Sequence, residues 1–162
     1  MAFVRRKRKY QPRPVLINPM QFVKEGLAVT PDEDLNKLRM LELASLEAFR
    51  TGAATLEDWH RVKAMLNVAE TMARAGIGEE VLSVCMQAQD HLIESAERHK
   101  RIGRMGASGP ALACWRDLFE YHDLQRTSVT RIEYEKLIQK TYDRERSKAP
   151  EVIDIKGGSN DQ

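Results

Sequence analysis

Residues 55–72 read TLEDWHRVKAMLNVAETM, and this stretch decides the fold class of the 162-residue chain. Thr55 is a residue type that caps helix N-termini, and the acids that follow it favour the positive end of a helix dipole. Apolar residues then recur every three or four positions, as on one face of an α-helix. This apolar face consists of Trp59, Val62, Met65, Leu66, Ala69 and Met72. The stretch predicts a long amphipathic helix that ends before Gly76 and Gly78.

Working outward, a second helix is predicted on the N-terminal side and three on the C-terminal side. The sequence Thr30-Pro31-Asp32-Glu33 is a capping box with proline at the first helical position, and it predicts a helix that ends near Gly52. Its apolar positions are Leu35, Leu38, Leu41, Leu46 and Phe49, while Asp34, Lys37, Arg39, Glu42 and Glu47 are assigned to the solvent side.

The C-terminal half gives three more helical patterns. One runs from Glu79 to about Ile102, one opens at Pro110, and one follows the capping box formed by Thr130 and Glu133 and fades near Ser147. Their apolar faces consist of Val81, Val84, Cys85, Ala88, Leu92 and Ala96, then Leu112, Trp115, Leu118, Phe119 and His122, then Ile132, Tyr134, Leu137, Ile138 and Tyr142. No stretch alternates with the period of a strand. We therefore predict an all-α fold, a compact bundle of about five mostly antiparallel helices.

The chain divides into three parts by composition. Residues 1–14 form a basic, extended arm, residues 15–148 the helical bundle, and residues 149–162 a tail that we expect to be disordered. Residues 15–23 are apolar enough to dock on the bundle, with a short helical turn predicted from Asn18-Pro19 to Gly26. We therefore expect the arm to be anchored.

Composition excludes several classes of protein. The longest apolar runs fall far short of the roughly 20 residues that a membrane helix needs, and the basic N-terminus is not followed by an apolar signal core. The two cysteines, Cys85 and Cys114, lie far apart, so they predict neither a zinc knuckle nor a redox pair. We expect a soluble, cytoplasmic protein with reduced, buried cysteines and no membrane partner.

The positive charge is concentrated at the N-terminus. Residues 1–14 hold six of the 26 lysines and arginines and no acid, so the other 148 residues hold 20 basic and 24 acidic side chains, a net charge of −4. Cations followed by an aromatic residue and prolines are typical of an arm that lies along a phosphate backbone. The candidate nucleic-acid-binding residues of this arm are Arg5, Arg6, Lys7, Arg8, Lys9, Tyr10 and Arg13. The alternatives are contact with another acidic partner, a tail that only solubilises the protein, or a tail that pairs with the acidic body.

A second basic patch is predicted where the third helix ends. It comprises Arg98, Lys100, Arg101 and Arg104, with His99 among them. Cations at a helix C-terminus are also favoured by the helix dipole alone, and this simpler interpretation is preferred. If the patch and the arm shared one side of the molecule, they would form a single anion-binding face.

No stretch carries the signature of a catalytic or metal site, and we expect a protein that is not an enzyme and has no cofactor. None of His60, His91, His99 and His122 sits in a metal-binding pattern, and His122 fits a structural, partly buried role. Ser108 lacks the spacing of a nucleophile elbow, and buried cysteines would be poor nucleophiles. A helix-turn-helix over the last two helices is a weak match, because its reading helix would present Glu133 and Glu135 to phosphates.

The opening RRKRKYQPRPV of residues 5–15, followed by Asn18-Pro19 and a helical body with Gly76-Ile77-Gly78, resembles small uncharacterised proteins of bacterial prophages and other mobile elements. The resemblance implies a bacterial cytoplasmic setting and an accessory role. That family has no assigned activity, so the resemblance assigns no functional residue.

The sequence therefore predicts an accessory protein that binds nucleic acid, DNA or RNA, through its basic arm. The alternative is a protein-interaction module, an inhibitor or adaptor of a host complex, that acts through a helical face. The oligomeric state is left open, because the apolar faces could serve a dimer as readily as a monomer core.

Overall fold

The computed structural model describes residues 32–147, and this part of the chain consists of helices and short connections, without a strand. The basic arm, the predicted turn at Asn18-Pro19, the Thr30 cap and the tail all lie outside the described residues. The five helices are α1 (Asp32–Thr51), α2 (Leu56–Arg74), α3 (Val81–Ile102), α4 (Gly109–Thr127) and α5 (Arg131–Arg146). The prediction of an all-α bundle of about five helices is confirmed.

Local capping chemistry sets the helix starts. Thr130 begins α5 in a capping box with Glu133, and Thr55 caps α2, as the sequence predicts. Asp58 completes a second reciprocal box with Thr55, which the sequence analysis did not predict. Ser108 caps α4 by accepting a hydrogen bond from the Ala111 amide, so this helix starts just before the expected Pro110. The third helix starts at Val81 instead of Glu79, and no side chain caps it.

Two tryptophans anchor the core on α3. Trp59 of α2 donates from Nε1 to the Leu92 carbonyl, and Trp115 of α4 donates to the Ala88 carbonyl, each at 3.2 Å. Both indoles are fully buried, and Phe49 packs edge-on against Trp115 with ring centroids 4.9 Å apart. Each polar N–H therefore has a partner while the large ring fills the core.

Side-chain contacts and short connections give the directions of the helices. Ser45, late in α1, bonds Asp58, early in α2, and the end of α5 lies beside the middle of α2, where Glu145 contacts Lys63. Successive helices therefore run up and down. One end of the bundle, which we call the α1–α2 end, holds residues 52–55 and residues 103–108, and α5 runs towards it. The opposite end, the α2–α3 end, holds residues 75–80, residues 128–130 and the start of α1.

The seam between α2 and α5 is unusually polar. The Thr141 hydroxyl donates to Thr71 Oγ1 at 2.9 Å, and Arg144 donates to Glu70 at 3.0 Å. Glu145 accepts from Asn67 at 2.6 Å. Apolar packing in this region is limited to a small cluster that contains Met72, Val129, Tyr134 and Leu137.

A groove separates α1 from α5. Both helices pack on α2, but in the described part of the chain they share no comparable interface with each other. The sequence assigns Leu38, Leu41 and Tyr142 to the core, and this is wrong: their exposed fractions are 37%, 48% and 57%. The helical period places these residues on the correct sides of their helices, but no described element covers them.

Candidate nucleic-acid interface

The candidate residues of the basic arm lie outside the described residues. The second basic patch is described in full, and we call it the cation corner. It consists of Arg98, Lys100, Arg101 and Arg104, all exposed. The first three occupy the final turns of α3, and Arg104 follows in the connection to α4, at the α1–α2 end of the bundle.

The end of α3 is fixed by one left-handed residue. Gly103 has φ of +68° and donates its amide to the His99 carbonyl, a conformation that costs glycine little. At this turn the chain leaves the axis of α3, and Arg104 therefore lies close to the end of the helix.

The connection from α3 to α4 is packed against the bundle. Met105 is buried and accepts a hydrogen bond from the Ser95 hydroxyl at 3.4 Å. The Arg98 side chain lies over Gly106, since a Cβ at this glycine would be 3.4 Å from Arg98 Nε. The cation corner therefore stands on a fixed backbone, not on a mobile loop.

The cations of this corner have no carboxylate within 4.0 Å among residues 32–147. Other exposed cations differ. Arg50 pairs with Glu47, and Arg131 pairs with Glu135. The remaining described lysines and arginines without such a pair are dispersed over α4 and α5, namely Arg116, Lys136, Lys140 and Arg146. Only at the corner do four such cations fall within seven consecutive residues.

A shallow cleft of about 220 Å³ adjoins the corner. Its walls come from residues 52–56 at the start of α2 and from His99, Gly103, Arg104 and Met105. The Nδ1 atom of His99 is buried and has no hydrogen-bond partner in the described part of the molecule. The lining of the cleft thus includes an imidazole and a guanidinium beside small and apolar side chains, and these two groups are compatible with a small anionic group.

Sequence reasoning missed a buried polar network below the groove. The Arg126 side chain is completely buried and donates to both carboxylate oxygens of Glu42, at 3.1 and 2.8 Å. Asp123 joins this network through Arg126 and through Arg39. Glu42 had been assigned to the solvent side, and this is wrong; burial raises its pKa, while Arg126 opposes that shift. A single glutamate on a helix gives no sign of a partner 84 residues away.

His122 lies beside this network as a neutral structural histidine, in agreement with the sequence. Burial, with a smaller contribution from the positive Arg126, lowers its pKa to about 3. Gln125 uses its amide nitrogen to donate to the Ala69 and Ile77 carbonyls, which leaves its oxygen facing His122 Nδ1 at 3.3 Å. This geometry assigns the imidazole proton to Nδ1.

The remaining candidate chemical groups are inert or dispersed. Cys85 and Cys114 are free and buried; burial raises the pKa of Cys85 to about 12 and raises that of Cys114 as well, as expected for poor nucleophiles. No group of three or more metal-ligating side chains occurs between residues 32 and 147. Glu133 and Glu135 are exposed on the first turns of α5, where they would repel phosphates.

Comparisons with protein-family models, with curated proteins and with solved structures found no match for this chain. The resemblance to prophage proteins therefore stays a prediction. Across the described helices, none combines the length and apolar content that a bilayer crossing requires.

Proposed function

We propose that this protein is a non-enzymatic accessory protein that binds the phosphate backbone of nucleic acid. The binding residues are the arm cations, Arg5 to Lys9 and Arg13, with Tyr10 available to stack on a base. The cation corner supplies a second set of positive charges on the bundle. The resemblance to prophage proteins supports a bacterial, cytoplasmic setting for this role.

The observation that carries the proposal is the lack of carboxylate partners at the cation corner within residues 32–147. A cation that is already paired must break that pair before it neutralises a phosphate, whereas Arg98, Lys100, Arg101 and Arg104 need not. Each phosphate that these side chains neutralise releases condensed counterions, which drives binding without reading sequence. Binding of this kind falls steeply as salt is added.

The test uses the full-length protein, labelled duplex DNA, single-stranded DNA and RNA, and a series of salt concentrations. One variant changes Arg5, Arg6, Lys7, Arg8 and Lys9 to alanine, and a second changes the four cations of the corner to alanine. The matched control changes four exposed cations that have carboxylate partners, Lys37, Arg50, Arg74 and Arg131, to alanine.

We expect the arm variant to lose nearly all affinity at physiological salt. The corner variant should reduce the slope of log K against log salt by roughly one for each phosphate contact that is lost, whereas the control should change it little. Equal losses in the corner and control variants would show that only net charge matters. Absence of binding by the wild type at low salt would refute the proposal.

The second candidate function is a protein-interaction module, and one observation favours it. Outside the groove, α1 exposes Met40 and Leu43, with exposed fractions of 67% and 41%, and their spacing of three residues places them on one side of the helix. Exposed apolar residues that lie side by side are typical of protein contacts. Under this alternative, the arm variant keeps its partner in a pull-down, and a Met40→Glu variant loses it.

A further inference from the structure

The groove between α1 and α5 is lined mainly by apolar side chains that no described helix covers. Its walls are Leu38 and Leu41 of α1 and Ile138 and Tyr142 of α5, and its floor is an apolar strip of α2 that includes Met65 and Val68. The cavity measures about 270 Å³. The helical period assigns these apolar sides of α1 and α5 to the interior, yet no described helix covers them. Exposed apolar surface of this kind favours burial under another apolar segment.

We propose that residues 15–23 of the same chain, VLINPMQFV, occupy this groove. This segment has no charged residue, and most of its side chains are apolar. The C-terminal segment outside the described residues, 151–155, carries Glu151 and Asp154. Among the described residues that line the groove, the charged side chains Glu42, Glu145 and Arg61 already have ion-pair partners, so none of them is free to balance Glu151 and Asp154. Burying unbalanced carboxylates against apolar walls is costly, which leaves the neutral segment as the occupant.

The connection is long enough for this placement. Eight residues, 24–31, join the segment to the start of α1, and they span at most about 26 Å when extended. Leu38, on the groove wall, is only about 9 Å along α1 from Asp32, given the rise of a helix. The segment reaches the groove without disturbing a described helix.

The helix directions and the most direct path to Asp32 then favour one end of the groove as the place where the arm emerges. Because α1 starts at the α2–α3 end, a chain that approaches Asp32 along the groove has residue 23 near that end and residue 15 near the α1–α2 end. Arg13 and the preceding cations leave the groove at the α1–α2 end, where the cation corner also lies. Docking therefore joins arm and corner into one positive surface; this consequence rests on the proposed function, whereas the docking itself does not.

Disulfide trapping in the full-length chain tests the docking. Met20→Cys is combined with Leu41→Cys on the groove wall, and the matched control combines it with Met86→Cys, at an exposed methionine on α3. Both native cysteines are buried. At micromolar protein under mild oxidation, we expect the intramolecular disulfide between positions 20 and 41, identified by peptide mass, to form at least tenfold faster than the control disulfide.

Two outcomes would overturn the docking. Equal rates for the two pairs would show that residue 20 has no preferred position, and linkage only between molecules would show that a second copy fills the groove. Direction is tested by pairing Arg61→Cys, at the groove-lining position of α2 nearest the α1–α2 end, with Leu16→Cys or with Val23→Cys. The Leu16 pair should form faster, and the reverse order would overturn the joined surface.

A stability measurement provides an independent test without engineered cysteines. Phe22→Asp places a charge in the docked segment, and Phe3→Asp places the same charge in the arm. We expect Phe22→Asp to lower the thermal midpoint by about 5 °C and Phe3→Asp to leave it unchanged. Equal midpoints for the two variants would contradict the docking. Neither experiment contains nucleic acid, so failure of the docking and failure of the proposed function are separate results.

Discussion

Arg126 holds a full positive charge where its side chain has no exposed surface, and Glu42 is the carboxylate that balances it. Removing one partner of such a pair leaves the other charge buried and unpaired, whereas replacing both by apolar residues is often close to neutral. We expect Arg126→Met to lower the free energy of unfolding by about 3–5 kcal/mol, and Glu42→Leu with Arg126→Met to regain most of that loss. Urea unfolding of the single and double variants measures both.

Arg39→Met is the control for this pair, because Arg39 contacts Asp123 with a side chain that is 42% exposed. An exposed ion pair contributes at most about 1 kcal/mol. If the double variant were as unstable as Arg126→Met, the ion pair would stabilise the fold by more than the cost of burying its two charges.

His122 predicts a dependence of stability on acid. Its pKa in the folded state, about 3, lies below the ordinary value of 6.5. Between these two pH values the unfolded chain binds a proton at His122 and the folded chain does not. Stability is therefore lost as the pH falls from 6.5 towards 3. We expect a contribution of about 1.4 kcal/mol per pH unit in this range, which His122→Gln removes. Urea unfolding at a series of pH values within this range measures the slope. An identical slope in wild type and variant would contradict the assignment.

At the scale of elements, the helices could be predicted because their determinants are local. Thr55 with Asp58 and Thr130 with Glu133 are three residues apart; both threonines cap their helices as predicted, and the Thr130–Glu133 box forms as the sequence indicates. The predicted start of α3 is two residues early because Glu79 and Glu80 suit a first turn, yet they lie before it. The groove could not be predicted, because helical period gives the side of a helix that is apolar but not which element covers it.

The cap of α5 is a direct test of this local control. Thr130 accepts a hydrogen bond from the Glu133 amide, and the Glu133 carboxylate accepts from the Thr130 amide at 2.9 Å. We expect Thr130→Ala to lower the free energy of unfolding by about 1 kcal/mol. Ser83→Ala, which removes an exposed hydroxyl inside α3, should change it by less than about 0.5 kcal/mol. Equal effects in thermal or urea unfolding would show that the cap contributes nothing specific.

At the scale of the molecule, the candidate site was partly accessible from sequence. The sequence shows the cations near Arg98 as a run of like charges. Their favourable interaction with the helix dipole explains this position as well as the binding of a ligand would. The cations of the corner are distinguished by clustering without a carboxylate partner among residues 32–147. That property depends on the three-dimensional position of every acidic residue, which the sequence does not give. The Arg126 network is invisible for the same reason, because its partners come from α1 and α4.

The polar seam makes α5 the helix that separates most readily from the rest. It buries Tyr134, Leu137 and Thr141, whereas α2 buries residues along its whole length. Polar contacts exchange easily for contacts with water, so opening α5 exposes little apolar surface. We expect the amides of α5 to exchange with deuterium at least tenfold faster than those of α2. Equal protection of the two helices would show that the bundle opens only as a unit.

The up-and-down order of the helices also bears on how the chain acquires its structure. The first four described helices pack as neighbours along the chain, so hairpins α1–α2, α2–α3 and α3–α4 close over short loops at little entropic cost. During synthesis these hairpins can form as soon as their residues emerge. The last helix must return to α2 across two completed elements, and we therefore expect its docking to be the final step of assembly.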